Sequence, residues 1–254
     1  VGDKIYGCSE REHVQALHAR CGLRRGDTVH AHNGILHPIF FLIYMEINPI
    51  AHFRSPFTSK FGIPKQSGLV AELEGTIVFS EAYRSDEALR GIEAFDYLWL
   101  IWGFSANKHS ANSLTVRPPL LGGNTRIGVF ATRSPFRPNP LGLSSVRLKG
   151  VERNTKEGTV LHVLGADLMD GTPIYDIKPY VAYADSHEGV RSGFVDSNPI
   201  KRLRVEIPEE VARALGDRRA ETLRKTLELD PRPHYQHDAS RVYGMPFDGR
   251  DIHF

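Results

Sequence analysis

From residue 50 to residue 164 the chain is cut into short apolar runs by turn signals, with almost no room for helices between them. Residues 50–54 alternate apolar and polar, residues 73–79 carry Ile77, Val78 and Phe79, and residues 127–131, 144–148 and 160–164 follow. Residues 97–104 are almost wholly apolar, which predicts a strand buried on both faces. Residues 85–91 suit a short helix, with Asp86 and Glu87 in its first turn and Gly91 at its end. Alternating βα units are absent, so a doubly wound sheet is excluded. The fold class is mainly β: a small, closed or nearly closed β-barrel.

The texture changes past residue 198. Residues 202–207 read as a strand. Pro208, Glu209 and Glu210 suit a helix start, and residues 218–228 read as a second helix. Asp248-Gly249, between residues 242–247 and 251–254, is a two-residue hairpin signal. Three segments are therefore expected: residues 1–44, a barrel over 45–197, and a small α+β C-terminal domain over 198–254. Residues 1–44 begin at Val1, hold both cysteines and precede Met45. One expectation is that translation naturally begins at Met45; the rival is a small added domain.

Several function classes drop out early. Lys plus Arg is 32 and Asp plus Glu is 30, so net charge alone does not mark a nucleic-acid binder. Cys8 and Cys21 are the only cysteines, which removes a thiol nucleophile, a Cys-type zinc site and a disulfide framework from residue 22 onward. No metal site is expected. The apolar run at residues 39–44 is too short to span a bilayer, and a cytoplasmic protein with no membrane contact is expected. There is no Gly-x-Gly-x-x-Gly, Walker loop, His-Glu-x-x-His or Gly-x-Ser-x-Gly. Ser144 and Ser145 have no paired base in view.

Net charge hides a local asymmetry. Between Tyr97 and Val151 there is no Asp or Glu, yet the stretch holds Lys108, Arg117, Arg126, Arg133, Arg137, Arg147 and Lys149. An acid-free basic surface attracts phosphate, carboxylate or nucleotide ligands; buried strands that simply exclude carboxylates are the competing explanation. Within it, Pro135, Pro138 and Pro140 stiffen a loop carrying Arg133 and Arg137. Guanidiniums on a stiff loop are pre-aimed at an anion, unless they are tied to backbone carbonyls. A second patch supplies Asp167, Asp170 and Asp176, which suit ribose hydroxyls, an amino group or a base's role, and equally suit turns.

Longer motifs sharpen this. Pro49-Ile-Ala-His-Phe-Arg-Ser-Pro-Phe57, Lys60-Phe-Gly-Ile-Pro-Lys-Gln66, Val116-Arg-Pro-Pro119, Ala131-Thr-Arg-Ser-Pro-Phe-Arg-Pro-Asn-Pro140, Asp167-Leu-Met-Asp-Gly-Thr-Pro173 and Asp176-Ile-Lys-Pro-Tyr180 resemble the TsaA-like (TrmO) family. Asp230-Pro-Arg-Pro233, Tyr235-Gln236 and Arg241-Val-Tyr-Gly244 are similar to that family's second domain. The resemblance runs from about residue 47 to the end.

It implies a TsaA/YaeB-like β-barrel that methylates the exocyclic N6 of threonylcarbamoyladenosine beside the tRNA anticodon, using S-adenosylmethionine and working as a homodimer. Carried over by motif, the cofactor site comprises Pro64, Lys65, Gln66, Ser105, Ala106, Arg133, Leu143, Gly165, Ala166, Asp167 and Leu168. Many relatives carry His-Gln where this chain has Ser105-Ala106. Asp170, or the substrate's own carboxylate, is the candidate base. Arg137 or Arg117 is the candidate fork for the threonyl carboxylate. Arg232 and Arg241 are expected on the anticodon stem, with Tyr235 stacking on a base or packing on the barrel. The alternative function is a non-catalytic RNA-binding β-barrel.

Overall fold

The computed structural model describes residues 46–107, 113–233, 238 and 240–254. The two cysteines, the readings on residues 1–44 and Tyr235 lie outside the described residues.

Six strands close on themselves: β1 (Ala51–Arg54), β2 (Glu74–Phe79), β3 (Tyr97–Gly103), β6 (Leu141–Thr155), β7 (Gly158–Leu164) and β8 (Pro173–Pro179). Their order around the barrel is β1-β2-β7-β6-β3-β8. Every pairing is antiparallel, and β8 seals the ring by pairing with both β1 and β3. Closure satisfies strand edges that would otherwise stay unpaired. A two-strand ladder, β4 (Thr115–Val116) with β5 (Ile127–Gly128), stands apart in the long β3–β6 connection.

The interior is packed solid, as expected of so small a barrel. Phe53, Ile77, Leu98, Leu100, Trp102, Val146, Leu161, Val163 and Ile174 fill it, each on the inward side of its strand. Trp102 packs edge-on against Phe104, with ring centroids 4.4 Å apart. Opposite the indole, β6 carries Gly142, and a Cβ there would overlap the indole ring. No other residue leaves room for Trp102 at that crossing.

Two elements differ from the sequence reading. The 97–104 strand is not buried on both faces: Leu98, Leu100 and Trp102 point inward, whereas Tyr97 is exposed and Trp99 and Ile101 are half-buried. Its outer face is apolar, and among the described residues no second layer covers it. Residues 85–91 make successive turns with hydrogen bonds of 3.1–3.3 Å to the third residue back rather than an α-helix, although Gly91 (φ 88°) does end the segment.

Beyond the barrel come α1 (Ala182–Asp185), α2 (Glu209–Leu215) and α3 (Asp217–Glu228), then the hairpin of β9 (Gly244–Phe247) and β10 (Arg250–His253). Asp248 (φ 51°) and Gly249 (φ 74°) form the tight turn that Asp-Gly predicts. Residues 202–207 are extended but form no strand, because the closed ring offers them no edge; Leu203 N–H instead donates to the Glu228 carbonyl at 2.8 Å. A second apolar cluster unites Phe57, Val70 and Leu73 with Leu215, Leu223, Leu227, Met245 and Phe247. Phe57 and Phe247 meet edge-on at 5.3 Å.

Gly142→Ala tests the crossing. Overpacking against the indole is expected to cost about 1–3 kcal/mol, read as a thermal midpoint roughly 2–10 °C lower, while Gly150→Ala, where a Cβ meets nothing within 4 Å, leaves the midpoint nearly unchanged.

Candidate active site

Segments far apart in sequence converge at one end of the barrel. The loop carrying Pro64, Lys65 and Gln66 is stitched to the turn after β7 by Gly68 N–H donating to the Gly165 carbonyl at 2.8 Å. Gly165 must bend back (φ 78°), and a Cβ on it would sit 3.5 Å from the Gly68 backbone. Arg133 Nη1 reaches across from the proline-rich loop to Gln66 Oε1 at 2.6 Å. Lys60 Nζ donates to Asn107 Oδ1 at 2.7 Å, which ties the same loop to the turn after β3 that holds Ser105 and Ala106.

Asp167 is the charged centre of this junction. Its Oδ1 accepts the hydroxyl of Ser144 at 2.5 Å. Ser144 Oγ in turn accepts Trp102 Nε1–H at 2.9 Å. Burial pushes the Asp167 carboxyl above its ordinary range; donation from Ser144 and from main-chain N–H groups, with the nearby Arg133 charge, opposes the rise. Leu143, the residue before Ser144, is 55% exposed beside this centre. Lys65 is drawn below its usual value by desolvation, against the pull of Asp230.

Of the residues expected at the cofactor site, Gln66 meets Arg133, Gly165 meets the 64–68 loop through Gly68, and Asp167 meets Ser144 next to Leu143; the turn of Ser105 and Ala106 is tied in through Lys60 and Asn107. Ala166 and Leu168 bury their side chains in the barrel core, which leaves only their main chain for any ligand contact. Pro64 is buried, and Ser105 is exposed with its N–H on the Gly103 carbonyl at 2.8 Å.

The substrate-side residues are more dispersed. Arg137 Nη1 donates to the Thr132 and Ser134 carbonyls at 3.1 and 3.4 Å, so half of its fork braces its own loop. Arg117 is exposed just past β4. Asp170 is exposed, its Oδ1 accepting Ser55 N–H at 3.1 Å; its hydrogen bonds run to the 55–57 turn rather than to Gln66, Arg133 or Ser144. Asp176 pairs with Lys178 at 2.9 Å. Arg232 is held by Asp230 (Nε to Oδ1, 2.7 Å), and Arg241 lies over the Tyr243 ring at 5.3 Å. Phe130 and Phe136 stand 76% and 51% exposed on the acid-free stretch.

Sequence reasoning missed Ser144 and Trp102. Both fall on inward positions of strands, and a hydroxyl or indole N–H facing a barrel core needs a partner, which was the available signal. A groove of about 330 Å³ between β2, β7 and α3 lies elsewhere. Its cations are taken up internally: Lys149 and Arg218 share Glu74, Arg54 meets Glu157 and Arg219 meets Asp248. Among the described residues no group of three metal-ligating side chains comes together, and no helix is long and apolar enough to cross a membrane.

Comparison with known proteins bears on this geometry. The family model of the tRNA-methyltransferase O N-terminal domain matches residues 52–186, and that of the TrmO C-terminal domain matches residues 200–254. The tRNA (adenine(37)-N6)-methyltransferase of Escherichia coli is 41% identical over 197 residues, covering 75% of this chain and 83% of that protein. A putative S-adenosylmethionine-dependent methyltransferase, RcsF, of Pseudomonas aeruginosa is 40% identical over 216 residues, covering 82% and 91%. A crystal structure of TrmO from Pseudomonas aeruginosa superposes with a TM-score of 0.66 at 33% identity, covering 84% and 92%.

Burial of Asp167 has a consequence for stability. A carboxyl whose folded pKa is raised contributes stability below its unfolded pKa and loses it as pH rises through the folded value. Asp167→Asn is therefore expected to raise the thermal midpoint at neutral pH and to flatten its fall between acid and neutral pH. Calorimetric unfolding across that window checks it; an unchanged pH profile contradicts it.

Proposed function

Because the chain belongs to the tRNA-methyltransferase O family, we infer that it is an S-adenosylmethionine-dependent methyltransferase acting on N6 of adenine 37 of tRNA. The observation that carries this reading is the junction itself. Gln66, Arg133, Leu143 and Asp167 come from four separate segments and are joined by hydrogen bonds or chain adjacency at one end of the barrel. The donor set fits the cofactor: an acceptor carboxylate for its amino or hydroxyl groups, an amide–guanidinium pair, an exposed leucine, and the main chain at Ala166 and Leu168, Gly165 having its own N–H and carbonyl tied to Leu73 and Gly68. The relatives do not support the non-catalytic alternative.

Bound here, S-adenosylmethionine supplies an electrophilic methyl group on a positively charged sulfur. The chain's part is alignment, which by itself accounts for large accelerations in bimolecular reactions. The finer substrate is threonylcarbamoyladenosine. Its urea-like nitrogen is a poor nucleophile until it loses a proton, and Asp170 or the substrate's own carboxylate takes that proton. Arg137 grips the threonyl carboxylate through Nε and Nη2, the edge that its loop leaves over; Arg117 is the other candidate. A barrel over residues 45–197 carries the chemistry, and Arg232, Tyr235 and Arg241 of the 198–254 domain hold the anticodon arm. A cytoplasmic location goes with a tRNA substrate in this reading.

Pairing of two copies belongs to this reading. The exposed Tyr97, Leu141 and Leu143 and the half-buried Trp99 lie on the outer face of β3 and β6, and Tyr180 packs beside Tyr97 and Trp99 at 6.2 and 5.9 Å. This face supports a homodimer. The protein is expected to sediment as a dimer and the Tyr97→Asp variant as a monomer; a monomeric wild type overturns this part.

Incubation with labelled cofactor and tRNA, with and without the threonylcarbamoyl group, tests the activity. Label is expected only in modified tRNA. Arg137→Ala is expected to lower kcat/KM for that tRNA about 10- to 100-fold, the loss of one charged hydrogen-bonding pair, with cofactor affinity unchanged. Label in neither tRNA contradicts the reading, and equal label in both removes the threonylcarbamoyl specificity.

A further inference from the structure

Inside the barrel wall a polar line runs from the core to the cofactor junction. It begins at Trp102 on β3, which is inward-facing and largely buried. The indole Nε1–H has only a donor's capacity, and it gives its proton to Ser144 Oγ at 2.9 Å. Ser144 sits on the neighbouring strand β6 and is 1% exposed. With one lone pair of the hydroxyl already committed, its own proton goes to Asp167 Oδ1 at 2.5 Å. The direction of the line is fixed by its first member: the indole cannot accept, so Ser144 cannot donate backwards.

Such a line does more than satisfy buried atoms. Asp167 stands on a turn, where a side chain is ordinarily free to rotate. Here the Ser144 hydroxyl fixes one carboxylate oxygen, and the main-chain N–H groups of Ser67 and of Asp167 itself add further donors. Arg133 is the charged side chain near it, and Arg133 is in turn held by Gln66. A carboxylate held in this way presents its remaining acceptor capacity in one direction. Preorganised acceptors bind a donor more tightly than mobile ones, because the ordering cost is met in folding.

We propose that Ser144 and Trp102 are positioning residues for the cofactor: through the Trp102–Ser144–Asp167 hydrogen-bond line they fix the Asp167 carboxylate as an acceptor for a hydrogen-bond donor group of S-adenosylmethionine. This rests on the reading that Asp167 belongs to the cofactor site. Neither Ser144 nor Trp102 touches the reacting atoms; they act through Asp167. The same line explains why a serine stands at an inward β6 position between Gly142 and Val146, where an apolar side chain would pack well but leave both the indole N–H and the carboxylate short of a partner.

A double-mutant cycle on the full chain tests it, with calorimetric titration of S-adenosylmethionine and steady-state methyl transfer to modified tRNA. Ser144→Ala is expected to raise the cofactor Kd and KM about tenfold, with kcat at saturating cofactor within about twofold of wild type. Asp167→Ala, which removes the acceptor, is expected to weaken binding at least as much. Adding Ser144→Ala to Asp167→Ala is expected to cost little more, because both changes break one line. Trp102→Phe, which keeps a ring in the core and removes the N–H, is expected to weaken cofactor binding severalfold, so that a misfolded Ser144 variant does not end the test. Additive losses overturn the proposal, as does a Ser144→Ala or Trp102→Phe protein that loses thermal stability but keeps wild-type cofactor affinity. If the wild type binds no S-adenosylmethionine, it is the cofactor reading that fails; if it binds and Asp167→Ala binds equally well, this proposal and the place of Asp167 in the site fail, while the methyltransferase reading stands.

Discussion

Closing six strands into a ring leaves a narrow interior, and the Trp102 indole is the largest group that has to fit in it. Much of the local chemistry follows from that constraint. The facing residue on β6 must be glycine, because a Cβ at Gly142 would occupy the ring's space. The indole brings a proton that has no water to take it, so an acceptor must stand nearby, and Ser144 is that acceptor. The Ser144 hydroxyl then donates its own hydrogen bond, and Asp167 accepts it. A packing requirement deep in the barrel thus ends at the mouth as a carboxylate with a defined orientation.

The barrel itself was legible in the sequence because its signal is local. Alternating residues in β1 reflect one face on the core and one on solvent, the short apolar runs of β2 and β7 end at turn residues, and Asp248-Gly249 reports a turn whose backbone only a few residues adopt. The failures share a cause as well. An apolar outer face on β3 cannot be told from a buried one by composition, since Tyr97 and Trp99 read the same whether covered or not. Residues 202–207 look like a strand by pattern, but a strand needs an edge to pair with, and only tertiary structure reveals that the ring has none to give.

The site was legible where motif and chemistry coincide and obscure where geometry decides. Gln66, Arg133 and Asp167 were all named, yet nothing in the chain announces that Gly68 and Gly165 meet or that Arg133 crosses to Gln66. Arg133 and Arg137 looked equivalent on their proline-braced loop. In the fold they divide the work: one reaches outward to the junction, while the other spends one of its nitrogens on the carbonyls of Thr132 and Ser134. Proline removes backbone donors, so such loops need guanidiniums to hold the carbonyls left over.

The strand order has a temporal meaning too. β1 finds β2 within a short stretch of chain, but its other neighbour is β8, and β8 is also the second neighbour of β3. A nascent polypeptide emerging from the ribosome therefore carries open sheet edges until residues 173–179 have cleared the exit tunnel. Only then does the cylinder shut. Ring closure has to wait for the last barrel strand, and any pause in synthesis before that point leaves sticky strand margins waiting for chaperone cover.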